Sequence, residues 1–453
     1  MKKTLLTICL VWMCFSLSAQ KIIDLSGKWS FSIDRQDNGE KEKWFSHTLN
    51  DCINLPGSMP EKLKGDEVTA KTQWTGSLYD SSYYYNPYME KYRKEGNIKF
   101  PFFLTPDKHY VGAAWYQKEV NIPADWKGER ILLFLERPHI ETTVWVNGQK
   151  TGMQNSLCVP HQYDITHYVR PGKCTITIRV DNRIKEINVG PDSHSITDQT
   201  QGNWNGIVGR ICLQTTPKTY FDDIQIYPEP EQKLARVKVV IKGTGTAKVK
   251  LSAESFNTDK KHIVPAIQQE IKLNKGVTET EMVLPMGNDM LLWDEFHPAL
   301  YKLKAEVTNG KKTEIKEIQF GMRRFEIKGK WFYVNGRKTQ LRGTVENCDF
   351  PLTGYAPMDV ESWERVFRIC RSYGLNHMRF HSFCPPEAAF MAADRVGFYL
   401  QPEGPSWPNH GPKLGLGQPI DKYLMDETIA LTKEYGNYAS YCCLLYTSDA
   451  ADE

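Results

Sequence analysis

The residues best suited to chemistry lie in the last third of the chain: Glu346 with Asn347, Arg379 with His381, and Glu403. Carboxylates accept hydrogen bonds from hydroxyl groups, and an imidazole donates or accepts them. An arginine holds a neighbouring carboxyl group ionised through its permanent positive charge. Trp407, a little past Glu403, adds a flat apolar face of the kind that stacks on a sugar ring. Each has a plainer use as well. Arg379 reads also as the structural partner of a barrel carboxylate such as Glu403, His381 equally as a core or loop histidine, Glu403 as a ligand for solvent or a structural cation, and Trp407 as packing. What sets them apart is position, because each cluster falls where a β-segment ends.

Those segments alternate with helices. Residues 339–343 read as a strand, and Asp359 then caps a helix whose apolar face is Val360, Trp363, Val366, Phe367, Cys370 and Tyr373, ended by Gly374. Residues 375–380 form a second strand and 386–396 a second helix closed by Gly397. A third strand covers 398–401, and a third helix covers 421–435 after a Gly/Pro-rich loop. Strict alternation predicts a parallel sheet with right-handed crossovers, whose strand ends converge on one rim. The expected architecture of 322–441 is the first part of a TIM (β/α)8 barrel.

Upstream the pattern is β. Thr142 to Val146 alternates and turns at Asn147-Gly148, residues 174–180 alternate, and Leu132-Leu133-Phe134-Leu135 fits a strand buried on both faces. A jelly-roll β-sandwich is expected over 20–228, interrupted by a Tyr-, Pro- and Gly-rich stretch at 57–106. That stretch reads as an ordered excursion against a neighbouring domain, with its tyrosines at the substrate cleft as the other reading. Alternation at 237–242 and 301–307 predicts an immunoglobulin-like β-sandwich over 229–321.

A chain of 453 residues needs several cores, and its near-balanced charge of +3, without a basic stripe, argues against a nucleic-acid partner. Lys2-Lys3, an apolar run to Leu17 and Ser16-Leu17-Ser18-Ala19 make 1–19 a signal peptide cleaved near Ala19. Bulky Met13 and Phe15 around Cys14 argue against a lipid anchor, so a periplasmic or secreted protein is expected, and nothing later is long and apolar enough to span a bilayer. Between signal and tail, Cys52, Cys158, Cys174, Cys212, Cys348, Cys370 and Cys384 are scattered without zinc spacing and read as free thiols. No cofactor is called for, a structural divalent cation is left open, and oligomeric state is not legible.

The chain resembles glycoside hydrolase family 2, the β-galactosidase, β-glucuronidase and β-mannosidase group. The resemblance is carried by Val144-Trp145-Val146-Asn147-Gly148, by Trp204 to Arg210, by Leu292 to Tyr301, by Phe320 to Phe325 and by Leu341-Arg342-Gly343. It implies retaining hydrolysis of terminal β-linked sugars by two carboxyl groups. Arg379 then matches an active-site arginine and Glu403 a third-strand acidic residue. His381 lies one position from an active-site histidine, Asn347 stands near a sugar-contacting position, and Asp198 resembles a sandwich-loop aspartate that reaches the sugar. Gly436 to Tyr441 resembles the lead-in to the acid/base glutamate. The count from it reaches Asp449, within 442–453, a stretch that reads as a non-native tail, so no catalytic residue is assigned and both glutamates are expected beyond the chain. The competing reading is a carbohydrate-binding sandwich protein without hydrolysis. A purely structural stack of sandwiches is disfavoured by the alternation after Gln340.

Overall fold

The computed structural model describes residues 20–76, 81–100, 106–409 and 411–442. The signal-like segment and the tail from 443 lie outside the described residues. In the first part of the chain two antiparallel sheets share a core. One orders Ile22–Asp24, Gly206–Thr216, Arg130–His139 and His161–Asp164, with Gly57–Ser58 also paired to Gly206–Thr216. The other orders Gln149–Gln154, Glu141–Val146, Gly172–Asp181, Ala113–Ile122, Gly27–Asp34 and Asp51–Leu55. Alternation sets the packing: Ile176, Ile178 and Val180 point inward and meet Leu133, Leu135, Ile211 and Leu213 in one apolar cluster. Asn147 and Gly148 both take positive φ, 50° and 77°, which suits a tight hairpin turn between Val146 and Gln149.

The excursion after Gly57 has a small core of its own, with Tyr83 and Phe100 stacked at 4.6 Å between ring centres and Trp74 edge-on to Phe100. Tyr85 and Tyr88 are exposed. The excursion touches the sandwich through Thr75, whose N–H donates to Asp198.

The next sheet is built around Leu234–Phe256, a strand of 23 residues. Its first half pairs with Tyr220–Glu229 and its second half with Leu300–Asn309, while Ile263–Pro285 pairs along both. Register shifts at Gly243/Gly245, and the inward residues of both halves share one core.

A meander of Phe325–Lys328, Trp331–Val334 and Arg337–Thr339 follows, and then the chain becomes α/β. Three parallel strands, β1 (Gly343–Glu346), β2 (His377–Phe380) and β3 (Tyr399–Gln401), alternate with helices α1 (Val360–Ser372), α2 (Glu387–Val396) and α3 (Pro419–Tyr435). Asp359 caps α1 by accepting from the Ser362 N–H, and Gly397 ends α2 at φ 77°. The first strand differs from expectation. Arg337–Thr339 pairs antiparallel within the meander, and β1 starts only at Gly343, because the Asn376 side chain holds the Arg342 N–H at 2.7 Å and fixes the register there. After α3 the chain returns beside β3: Leu400 N–H donates to Ser440 O at 2.8 Å and Cys442 N–H to Leu400 O at 3.1 Å, a parallel contact.

Asp394 on α2 anchors that return. Its carboxylate accepts from the N–H groups of Ser440 (2.6 Å) and Ala439 (3.2 Å) and from Gln319 (2.8 Å) of the preceding sheet, while its carbonyl accepts from Trp293 Nε1. Burial raises its carboxyl from 3.8 to about 6, with these donors pulling the other way. Because the folded value lies above the unfolded one, its contribution to stability is complete below the unfolded value and is lost as pH climbs to about 6. We therefore expect wild type to lose on the order of 3 kcal/mol relative to Asp394→Asn between about pH 4 and pH 7, read from paired denaturant titrations. Parallel pH profiles for the two proteins would contradict this.

Candidate functional site

The site is assembled from the carboxyl ends of the parallel strands and a loop of the first sandwich. Arg379 on β2 sits between Val345 of β1 and Gln401 of β3. Its Nε lies 2.5 Å from Oε1 of Glu403, and Oε2 of the same carboxylate accepts the Ser382 N–H at 2.6 Å. Glu403 is wholly buried. Burial raises its carboxyl, and the Arg379 guanidinium and the Ser382 N–H hold it down. Nη2 of Arg379 is closed off from solvent and has no hydrogen-bond partner among the described residues. The ion pair anticipated as the plain use of Arg379 is thus present, and it leaves Nη2 unspent.

Ser382 joins the two halves of the site. Its φ of 44° is rare for a residue with a side chain. In that conformation its N–H reaches Glu403, its carbonyl accepts from Ser195 Oγ at 2.7 Å and Ser193 Oγ at 3.4 Å, and its own Oγ accepts the His194 N–H at 2.8 Å. The sandwich loop Ser193-His194-Ser195 is therefore fastened to the end of β2 by Ser195 Oγ and the His194 N–H, with the single Ser193 hydroxyl proton shared between Ser382 O and Pro405 O. A second fastening joins Ser193 Oγ to Pro405 O at 3.0 Å and Trp407 N–H to Val189 O at 3.1 Å. Gly190, at φ 93°, permits this approach, since a Cβ there would lie 1.9 Å from the Trp407 carbonyl oxygen.

Three rings meet above the ion pair. His194 lies parallel to Trp407 with ring centres 5.6 Å apart, and His381 stands edge-on to both, at 4.5 Å from His194 and 4.8 Å from Trp407. His194 Nδ1 is 3.0 Å from the Asn347 carbonyl oxygen. Burial, with His381 close by, lowers His194 to about 4, so it is neutral at pH 7. Glu346 is raised by burial, and its carboxylate accepts the Asp349 N–H at 3.1 Å.

Of the residues singled out from sequence, Arg379, His381, Glu403 and Trp407 come together, and Asn347 joins through its main chain. Asp198 has another task. It is buried, with one oxygen on the Thr75 N–H at 2.5 Å and the other on the Asn203 N–H at 2.7 Å. It lines a separate cavity of about 440 Å³ with His109, Trp204 and Leu352. His194, Ser193, Ser195 and Ser382 were missed. The only sequence signal was a polar Ser-His-Ser run in a loop, which reads like any solvated connection until the parallel strands are folded against it. Among the described residues no group of three or more His, Cys, Asp or Glu is gathered to hold a metal ion, the cysteines are free thiols, and no helix is long and apolar enough to cross a membrane.

Comparison with known proteins agrees with this architecture. Residues 22–217 match the family model for the sugar binding domain of glycosyl hydrolases family 2, and residues 219–323 match a further model of glycosyl hydrolases family 2. The chain belongs to glycoside hydrolase family 2. It is 24% identical over 334 residues to a beta-galactosidase of Thermoanaerobacter pseudethanolicus, covering 70% of this chain and 42% of that protein. It is 23% identical over 420 residues to the beta-glucuronidase of Homo sapiens, covering 84% of this chain and 57% of that one. In fold it is similar to the apo beta-glucuronidase from Ruminococcus gnavus, with a TM-score of 0.71 and 19% identity over 94% of this chain and 66% of that one. The chain spans about half the length of these curated relatives.

The ion pair makes a sharp energetic prediction. Arg379→Met leaves Glu403 buried without its cation and is expected to cost about 3 kcal/mol in a denaturant titration, whereas Arg379→Met with Glu403→Gln recovers much of that loss. Additive losses in the two single variants and the double variant would show that the pair is not coupled.

Proposed function

We propose that this chain is the substrate-gathering part of an exported retaining β-glycosidase of the β-galactosidase type, acting on terminal β-linked sugars of oligo- or polysaccharides. In this reading β1, β2 and β3 open a (β/α)8 barrel, and the rim at their carboxyl ends is the floor of the sugar site. The observation that carries the reading is the joint placement of Arg379, Glu403, His381, His194 and Trp407 where the parallel strands end.

The chemistry follows from those groups. A retaining mechanism needs a nucleophile carboxylate and an acid/base carboxyl roughly 5 Å apart. We assign neither to a residue of this chain and place both in sequence beyond it. The unspent Nη2 of Arg379 is a donor ready for an additional carboxylate, which it would keep ionised for attack on the anomeric carbon. His381 hydrogen-bonds sugar hydroxyls and Trp407 walls one side, while Glu403, buried with both oxygens engaged, acts on the sugar by holding Arg379 and the Ser382 turn in place. Relatives named for galactoside and for glucuronide hydrolysis both occur, so the sugar is settled by assay.

The parent enzyme is expected to release nitrophenol from an aryl β-galactoside, with Glu403→Gln and His381→Ala each lowering kcat/KM by about 100-fold. Faster release from the β-glucuronide would reassign the sugar. A parent that binds the glycosides without cleaving them would favour the carbohydrate-binding reading.

A further inference from the structure

His194 comes from the sandwich, yet it forms one side of the sugar site, and its hydrogen bonding dictates what its free nitrogen can do. Nδ1 faces the Asn347 carbonyl oxygen at 3.0 Å, with Thr200 Oγ1 at 3.3 Å. A carbonyl oxygen only accepts, so Nδ1 carries the proton and Nε2 is left with a lone pair. Nε2 makes no hydrogen bond to the described residues, and His194 keeps a small exposure of 9%. Turning the imidazole of His194 over would give up its Nδ1 bond to the Asn347 carbonyl oxygen. Its main-chain N–H is held by Ser382 Oγ, one neighbour packs parallel to the ring at Trp407 and another edge-on at His381.

We propose that His194 is a specificity-determining residue whose Nε2 accepts a hydrogen bond from a hydroxyl of a neutral sugar. This rests on the proposed sugar site and adds a residue and a preference to it. An acceptor lone pair at Nε2 suits a ligand rich in O–H donors and repels a carboxylate presented at the same point.

The test uses the full chain, with methyl β-D-galactoside as the probe and binding followed by ligand-detected NMR titration. His194→Phe keeps a ring between Trp407 and His381 but has no acceptor, and it is expected to weaken binding about tenfold, as one hydrogen bond lost to a site built for it. His194→Gln restores an acceptor oxygen and is expected to stay within about threefold of wild type. His381→Ala serves as the site control and is expected to weaken binding. If His194→Phe binds as wild type does while His381→Ala does not, the role of His194 is overturned and the site stands. If neither change matters, or wild type does not bind, the site reading fails with it. If Gln is as poor as Phe, the acceptor assignment is wrong. Thermal melting of each variant separates lost contacts from lost folding.

Discussion

The site depends on one buried carboxylate. Glu403 sits at the end of β3 with no exposure, and a charge in that position is tolerable only because the Arg379 guanidinium and the Ser382 N–H divide its two oxygens. That division fixes Arg379 against the strand ends and draws Ser382 into its positive-φ conformation. Once Ser382 is turned, its carbonyl and hydroxyl face the sandwich and take hold of Ser193, His194 and Ser195. A single electrostatic constraint in the α/β layer thereby determines where a loop nearly two hundred residues earlier comes to rest.

The supporting structure serves the same end. Asp394 ties α2 to the preceding sheet and to the segment returning beside β3, so the parallel strands are held from behind as well as from the rim. Arg137 reaches from the sandwich to the carbonyls of Cys384 and Pro385, immediately after the Ser382 turn, at 3.2 Å each. Glu427 on α3 accepts the N–H groups of Leu157 and Cys158, at 3.0 and 3.1 Å. Polar groups committed across an interface in this way are expensive to separate, which gives the rings above Glu403 a rigid mounting.

Much of the fold could be read from the sequence, because its signals are local. Alternation places Ile176, Ile178 and Val180 inside, Asn147-Gly148 makes the turn, and Asp359 and Gly397 mark helix ends through capping geometry. The start of β1 was misplaced because two strands, 337–339 and 343–346, lie only three residues apart, and the Asn376 side chain marks where antiparallel pairing gives way to parallel. The site was half legible. Arg379, His381 and Glu403 follow strands whose ends must converge. His194 follows no strand in that sheet, so its role exists only in the tertiary contact. Asp198 sits near it in sequence, but its short side chain is taken up by the Thr75 and Asn203 main chain.

Hydrogen–deuterium exchange with and without a saturating β-galactoside bears most directly on whether sandwich loop and strand ends form one binding surface. Peptides spanning 188–196 and peptides spanning 379–407 should gain protection together, at the same sugar concentration. Protection confined to one of the two, or appearing around the Asp198 cavity instead, would contradict the account.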